Sequence, residues 1–230
     1  VMNSRENALI NEITQMPDLL IEANDISAAG LLADRPHVIG PYINIYNEST
    51  FSYFESRAAK RISLPWELPL SSISQLCETR KSAEIEVQVF GRMPLAISAR
   101  CYSARAQGLH KDGCRYVCGE QLDGMEVATL DDAPFLAVNG LQTLSNHYVE
   151  LSDNIGELQD AGVSAFRLSP HSLDMMEVAQ LYRQLLDRKI DAGELRRNLQ
   201  EMPLQMAFSD GFLHGLPGAE LRSTLGQRAE

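Results

Sequence analysis

The sequence predicts an α/β fold built on a parallel sheet, on three observations. Short apolar runs alternate with helix-periodic segments of about 10–14 residues over the first hundred positions, and the rhythm returns near the C-terminal third. The 230 residues are 44% hydrophobic and 22% charged, enough apolar material for a buried core and too little charge for a disordered chain. No apolar run approaches the roughly 20 residues needed to span a bilayer.

Taken in order, "NSRENALINEITQM" carries apolar residues at helical spacing, with Asn3 or Ser4 as the N-cap. The apolar run "DLLIEAN" reads as a buried strand, "DISAAGLLADR" as a helix, and "HVIGPYINIYN" as a second strand. "ESTFSYFESRAAK" (helix), "RISLPWEL" (strand), "PLSSISQLCETRKS" (helix) and "EIEVQVFGRMPL" (strand) follow. The pattern breaks at Ser98, where an irregular insert over 98–147 holds short antiparallel pieces and a glycine turn at Asp123-Gly124. After it come the helix "NIGELQDAG", the strand "VSAFRLSPH" and the long helix "LDMMEVAQLYRQLLDRK". The tail from Gly193 is Gly-rich and ends in a polar stretch, with 221–230 expected to be disordered. One domain over 1–220 is the expected organisation. Five clear strands fall short of the eight of a closed βα barrel, so the sheet is open or the chain lacks its first part. The chain does begin with Val1 rather than Met.

Net charge is −11, a field that disfavours nucleic acid as a partner. The one dense basic stretch is Arg100, Arg105, His110, Lys111 and Arg115, and it coincides with three of the four cysteines: Cys101, Cys114 and Cys118, spaced C-x12-C-x3-C. No basic-then-apolar leader opens the sequence, which makes the cytoplasm the expected compartment. Thiols kept reduced there and gathered in one loop point to metal binding or catalysis rather than to disulfides. Spacing alone leaves two metals open. His110 could complete a Cys3His zinc set, and an iron–sulfur cubane takes four thiolates with looser spacing. Cationic neighbours suit either by stabilising thiolates. Cys77, on the apolar face of its helix with Ile73 and Leu76, reads as a core residue.

Polar residues collect at the strand exits: Glu22, Asn24, Asn44, Asn47, Glu67 and Arg167. In a parallel sheet that is the functional edge, although helix caps and turns call for the same residue types. No G-x-S-x-G or H-E-x-x-H motif occurs, and the five histidines are dispersed.

"PLAISARCYSARAQGLHKDGCRYVC", "FLAVNGLQTLS" and "FRLSP" resemble the collagenase-like U-family peptidases, in particular their branch that serves ubiquinone biosynthesis without oxygen. The Arg100-Cys101 pair, the gap, and Cys114-x3-Cys118 meet the family pattern. The resemblance implies an incomplete (β/α)8 TIM-type barrel, lacking its N-terminal part, with the cysteine insert ahead of the last strand. It also implies a [4Fe-4S] cluster on Cys101, Cys114 and Cys118, with a fourth ligand absent from this chain, and a heterodimer with a UbiU-like sister protein. The activity implied is oxygen-independent hydroxylation of a quinone precursor. Peptidase action and RNA-base hydroxylation are the family's alternatives. Glu22, Glu67 and Arg100 are the candidate substrate contacts.

Overall fold

The computed structural model describes residues 4–110, 113–204 and 206–222. In chain order its elements are α1 (Ser4–Thr14), β1 (Glu22–Ala23), α2 (Ile26–Leu31), β2 (His37–Ile39), α3 (Glu48–Ser56), β3 (Ala59–Ser63), α4 (Leu70–Thr79) and β4 (Glu84–Ile97). There follow α5 (Tyr102–Ala106), β5 (Met125–Ala128), β6 (Pro134–Asn139), β7 (Gln142–Glu150), α6 (Ile155–Ala161), β8 (Ala165–Leu168), α7 (Met175–Leu186), α8 (Ala192–Glu201) and β9 (Phe208–Ser209). The chain divides into two compact units: Val1–Gln88 with Gly156–Arg167, and Val89–Ile155 with Leu168–Glu230. β4 begins in the first and ends in the second.

The first unit is the parallel βα region that the sequence rhythm predicts. β1, β2, β3 and the start of β4 pair parallel in sequence order, and β8 joins β4. The strands are shorter than their apolar runs. β2 stops at Ile39 because Gly40-Pro41 opens a 3-10 turn, closed by Asn44 in the left-handed region at φ 60. β3 stops at Ser63, two residues before Pro65, which has no N–H for a ladder. Between the strands the helices are capped locally. Asp25 accepts from Ser27 N at 2.9 Å, and Asn47 accepts from Thr50 N at 2.9 Å. The core is apolar: Leu32, Ile39, Phe51, Ile62, Ile73, Leu76 and Ile85 are fully buried, and Leu158 and Val163 join them. Cys77 is buried there too, as its helical spacing predicts, and burial pushes its thiol pKa up.

The second unit is antiparallel. The far half of β4 pairs with β7, β7 with β6 and β6 with β5, while β9 adds parallel to β7. The segment expected as short pieces of an irregular insert is therefore a three-stranded meander, and the expected insert boundary at 147 falls inside nine-residue β7. Alternation alone gives "FLAVNGLQTLS" two strands but cannot say that the second belongs to the main ladder. Asp123-Gly124 forms a turn leading into β5, whereas the hairpin turn proper is at Gly140, φ +60. Gly91, at φ +103 inside β4, meets Ser169 so closely that a Cβ would stand 2.7 Å from the serine Cβ, so no side chain fits here.

α8 lies in the Gly-rich tail, to which the sequence pattern assigns no element. Asp191 caps it by accepting from Glu194 N at 2.7 Å, and Leu195 and Leu199 bury one face. Of the tail expected to be disordered, Arg222 N donates to Asp210 Oδ1 at 2.7 Å, and 223–230 lie outside the described residues, as does Asn3. No helix among the described residues is long and apolar enough to cross a membrane.

Candidate functional site

Along the start of β4 the residues alternate Glu84, Ile85, Glu86, Val87, Gln88, so one face of the first unit's sheet is polar where the other is core. On that face Arg167, from β8, donates through Nε to Glu86 at 2.6 Å and through a terminal nitrogen to Glu22. Arg61 spans Glu84 at 2.6 Å and Glu86 at 3.5 Å. Burial alone would lower the Arg167 pKa; its contacts with Glu22 and Glu86 outweigh that and raise it. Asn24 Nδ2 donates to Glu22 at 2.8 Å, and Trp66 Nε1 donates to Gln88 at 2.6 Å with Tyr42 edge-on to its ring. Glu67 is held by the Tyr46 hydroxyl, whose pKa is pushed up to about 12 by desolvation and by that carboxylate.

The strand-exit residues thus sort into two roles. Asn47 is a helix cap and Asn44 a turn residue, whereas Glu22, Asn24, Glu67 and Arg167 take part in hydrogen bonds or ion pairs between side chains. Glu86, which carries two of those pairs, escaped the sequence reading. The period-two alternation of "EIEVQV" is the signal that marks it.

In the second unit Cys101, Cys114 and Cys118 are free and half-buried. Cys101 Sγ accepts from Ala104 N at 3.3 Å as the N-cap of five-residue α5. Ala99, Arg100, Cys101, Arg105, Leu109 and His110 line a cavity of about 530 Å³, within the range of small-molecule sites. Cys114 precedes Tyr116, left-handed at φ 56, and Cys118 lies in the 3-10 turn that follows. Lys111 of the basic stretch lies outside the described residues. The cavity thus brings together Arg100, Cys101 and His110.

The donor set offers three thiols amid cations, the chemistry an anionic iron–sulfur centre takes, and one thiolate fewer than a cubane needs. Among the described residues no three His, Cys, Asp or Glu side chains are grouped so as to hold a metal ion.

Two further clusters in this unit went unread. Tyr148 Oη and Asp123 Oδ1 both approach His171 Nε2, at 2.6 Å and 3.1 Å. Desolvation lowers the His171 pKa; Asp123 opposes this and Arg92 adds to it. Glu150, fully buried, accepts from Arg196 Nε and from Ser152 N, both at 2.7 Å, with Tyr182 Oη at 3.4 Å. His171 follows β8, and that strand-exit position is the signal for it. Glu150 leaves no local signal.

A parallel βα run, interrupted before its last strand by a cysteine-bearing antiparallel segment, defines an α/β protein consistent with an incomplete α/β barrel. The chain belongs to peptidase family U32, whose sequence profile matches residues 8–223. No solved structure gives a significant match.

Proposed function

We propose that the chain is an iron–sulfur subunit of the UbiV type, supporting oxygen-independent hydroxylation of a quinone precursor together with a UbiU-like partner in the cytoplasm. The observation that carries this reading is the meeting of a thiol and two arginines, Cys101 with Arg100 and Arg105, at one cavity, within a stretch that also supplies Cys114 and Cys118. Cys101, Cys114 and Cys118 would hold a [4Fe-4S] cluster, with a fourth thiolate from outside this chain's set. A bound cluster supplies one-electron chemistry; Arg100 and Arg105 stabilise thiolate charge and orient an anionic or polar group in the cavity. The chain's −11 charge counts against the family's RNA-base alternative.

The test is iron, sulfide and zinc content after anaerobic reconstitution, in the parent and in Cys101→Ser, Cys114→Ser and Cys118→Ser. Equimolar iron and sulfide, with absorbance near about 400 nm lost in each variant, is the expected result. Stoichiometric zinc without sulfide, lost in His110→Ala, overturns it in favour of a zinc-stabilised subunit.

A second reading has one observation behind it. Cys101 and His110 line the same cavity, the residue types of a cysteine-dependent hydrolase, which accords with the family's name. Casein hydrolysis abolished by Cys101→Ser and unaffected by Cys114→Ser would establish it; hydrolysis that is absent, or equally sensitive to all three thiols, removes it.

A further inference from the structure

The β5–β6 hairpin presents a half-exposed apolar face and, among the described residues, an unpaired edge. Its register places Met125 opposite Val138 and Val127 opposite Leu136, so these four apolar side chains share one face of the pair. None of the four is buried, and Val127 is exposed. Leu122 and Leu130, on either side of β5, stand out into solvent as well, and Phe135 does so on the opposite face of β6. β5 ends the sheet order, with β6 on one side and no described strand on the other. A half-exposed apolar stripe beside a free strand edge is a docking feature.

Charge narrows the occupant. No lysine or arginine occurs between Arg115 and Arg167, a span that holds nine acidic residues. Around the hairpin Glu120, Glu126, Asp131 and Asp132 are all exposed. Glu126 lies on β5 itself, and Asp131 and Asp132 lie in the turn between β5 and β6. A second copy pairing edge to edge would bring these acids against their own counterparts, which is destabilising. A phosphate-rich surface would be repelled likewise.

We propose that the β5 edge and its apolar face receive an extended segment of a partner protein, with apolar residues at alternate positions and lysine or arginine between them. Backbone pairing to Met125–Ala128 supplies the register, the stripe of Met125, Val127, Leu136 and Val138 takes the apolar side chains, and the surrounding acids select the basic ones. This surface does not depend on what the thiols bind.

The probe is an acetylated peptide of alternating lysine and valine, titrated into the full chain and followed by hydrogen exchange. An alternating lysine–glycine peptide of equal length is the control. The expected result is slowed exchange at residues 125–128, weaker binding of the control, and about tenfold weaker binding to Val127→Asp, in line with lost strand addition. Val127→Asp adds negative charge, so simple charge attraction would make it bind more tightly. Val127 is exposed, and an unchanged melting temperature will show that the variant folds. Tighter binding to Val127→Asp, equal binding of the two peptides, or protection confined elsewhere overturns the proposal. So does a dimer of the free chain that Val127→Asp dissociates, which would make a second copy the occupant.

Discussion

The two units differ in which of their charges they leave open. In the parallel unit the strand-exit charges neutralise one another: Arg167 lies between Glu22 and Glu86, and Arg61 lies between Glu84 and Glu86. In the antiparallel unit, Arg100 and Arg105 open onto a cavity with a thiol, and a run of acids borders exposed apolar side chains. The lesson concerns where a fold leaves chemistry available. A repeated βα step brings many strand ends to one edge, so charges there find partners among neighbouring strands. The second unit pairs the charges it buries, Glu150 with Arg196, and leaves those of the cysteine stretch and the hairpin open to a ligand or a partner.

The contrast predicts unequal costs for breaking an ion pair. Arg196→Ala strips its partner from Glu150, whose side chain is fully buried, and is expected to cost about 3 kcal/mol or more, read by urea unfolding. Arg167→Ala is expected to cost less, about 2 kcal/mol, because Glu86 keeps Arg61 and Glu22 keeps Asn24. Equal losses would remove the distinction between a buried carboxylate left with neutral donors alone, from Ser152 and Tyr182, and one that keeps a second arginine.

Acid should loosen the second unit first. Burial holds the pKa of His147 and of His171 below the ordinary value of about 6.5. As pH falls, the unfolded chain therefore binds protons first. The stability these two groups contribute is complete above about 6.5 and lost as pH drops through their lower folded values. In the first unit the lowered groups are carboxylates. Asp25 is lowered mainly by its hydrogen bond from the Ser27 side chain. For Glu55 burial is the largest single influence and works upward, but amide donors at Ser82, Ala83 and Lys81 together prevail. Their contribution persists until the pH passes below the ordinary carboxylate range. Amide exchange across pH, read unit by unit, should show protection falling around β7 before α2 and α3. Simultaneous loss would contradict this.

Caps give a smaller contrast. Asn47→Ala removes an oxygen acceptor from the start of α3 and should cost about 1 kcal/mol in thermal or urea unfolding. Cys101→Ala removes only a weak sulfur acceptor from a five-residue helix. It should cost under about 0.5 kcal/mol, while the proposed iron–sulfur role has it abolish iron uptake on reconstitution. A large stability loss at Cys101 would recast that thiol as structural. The smallest effect is expected at Leu130, which is 105% exposed: Leu130→Ser should change stability by less than about 0.5 kcal/mol.

Sequence by itself determined the parallel βα rhythm, the core role of Cys77 and the break at Ser98. Each of these is carried by local periodicity or spacing, which side-chain direction along a helix or strand imposes directly. It did not reveal that β7 joins the β4 ladder or that "GELRRNLQE" forms a helix; glycines nearby masked the amphipathic spacing of Leu195 and Leu199. Only the tertiary structure decided which charges meet. Arg167 reaches Glu22 across 145 residues and Arg196 reaches Glu150 across 46. A charge bears no mark of its partner in the sequence. Strand order and helix docking choose it, because a buried carboxylate is tolerable only where the fold delivers a cation and donors to it.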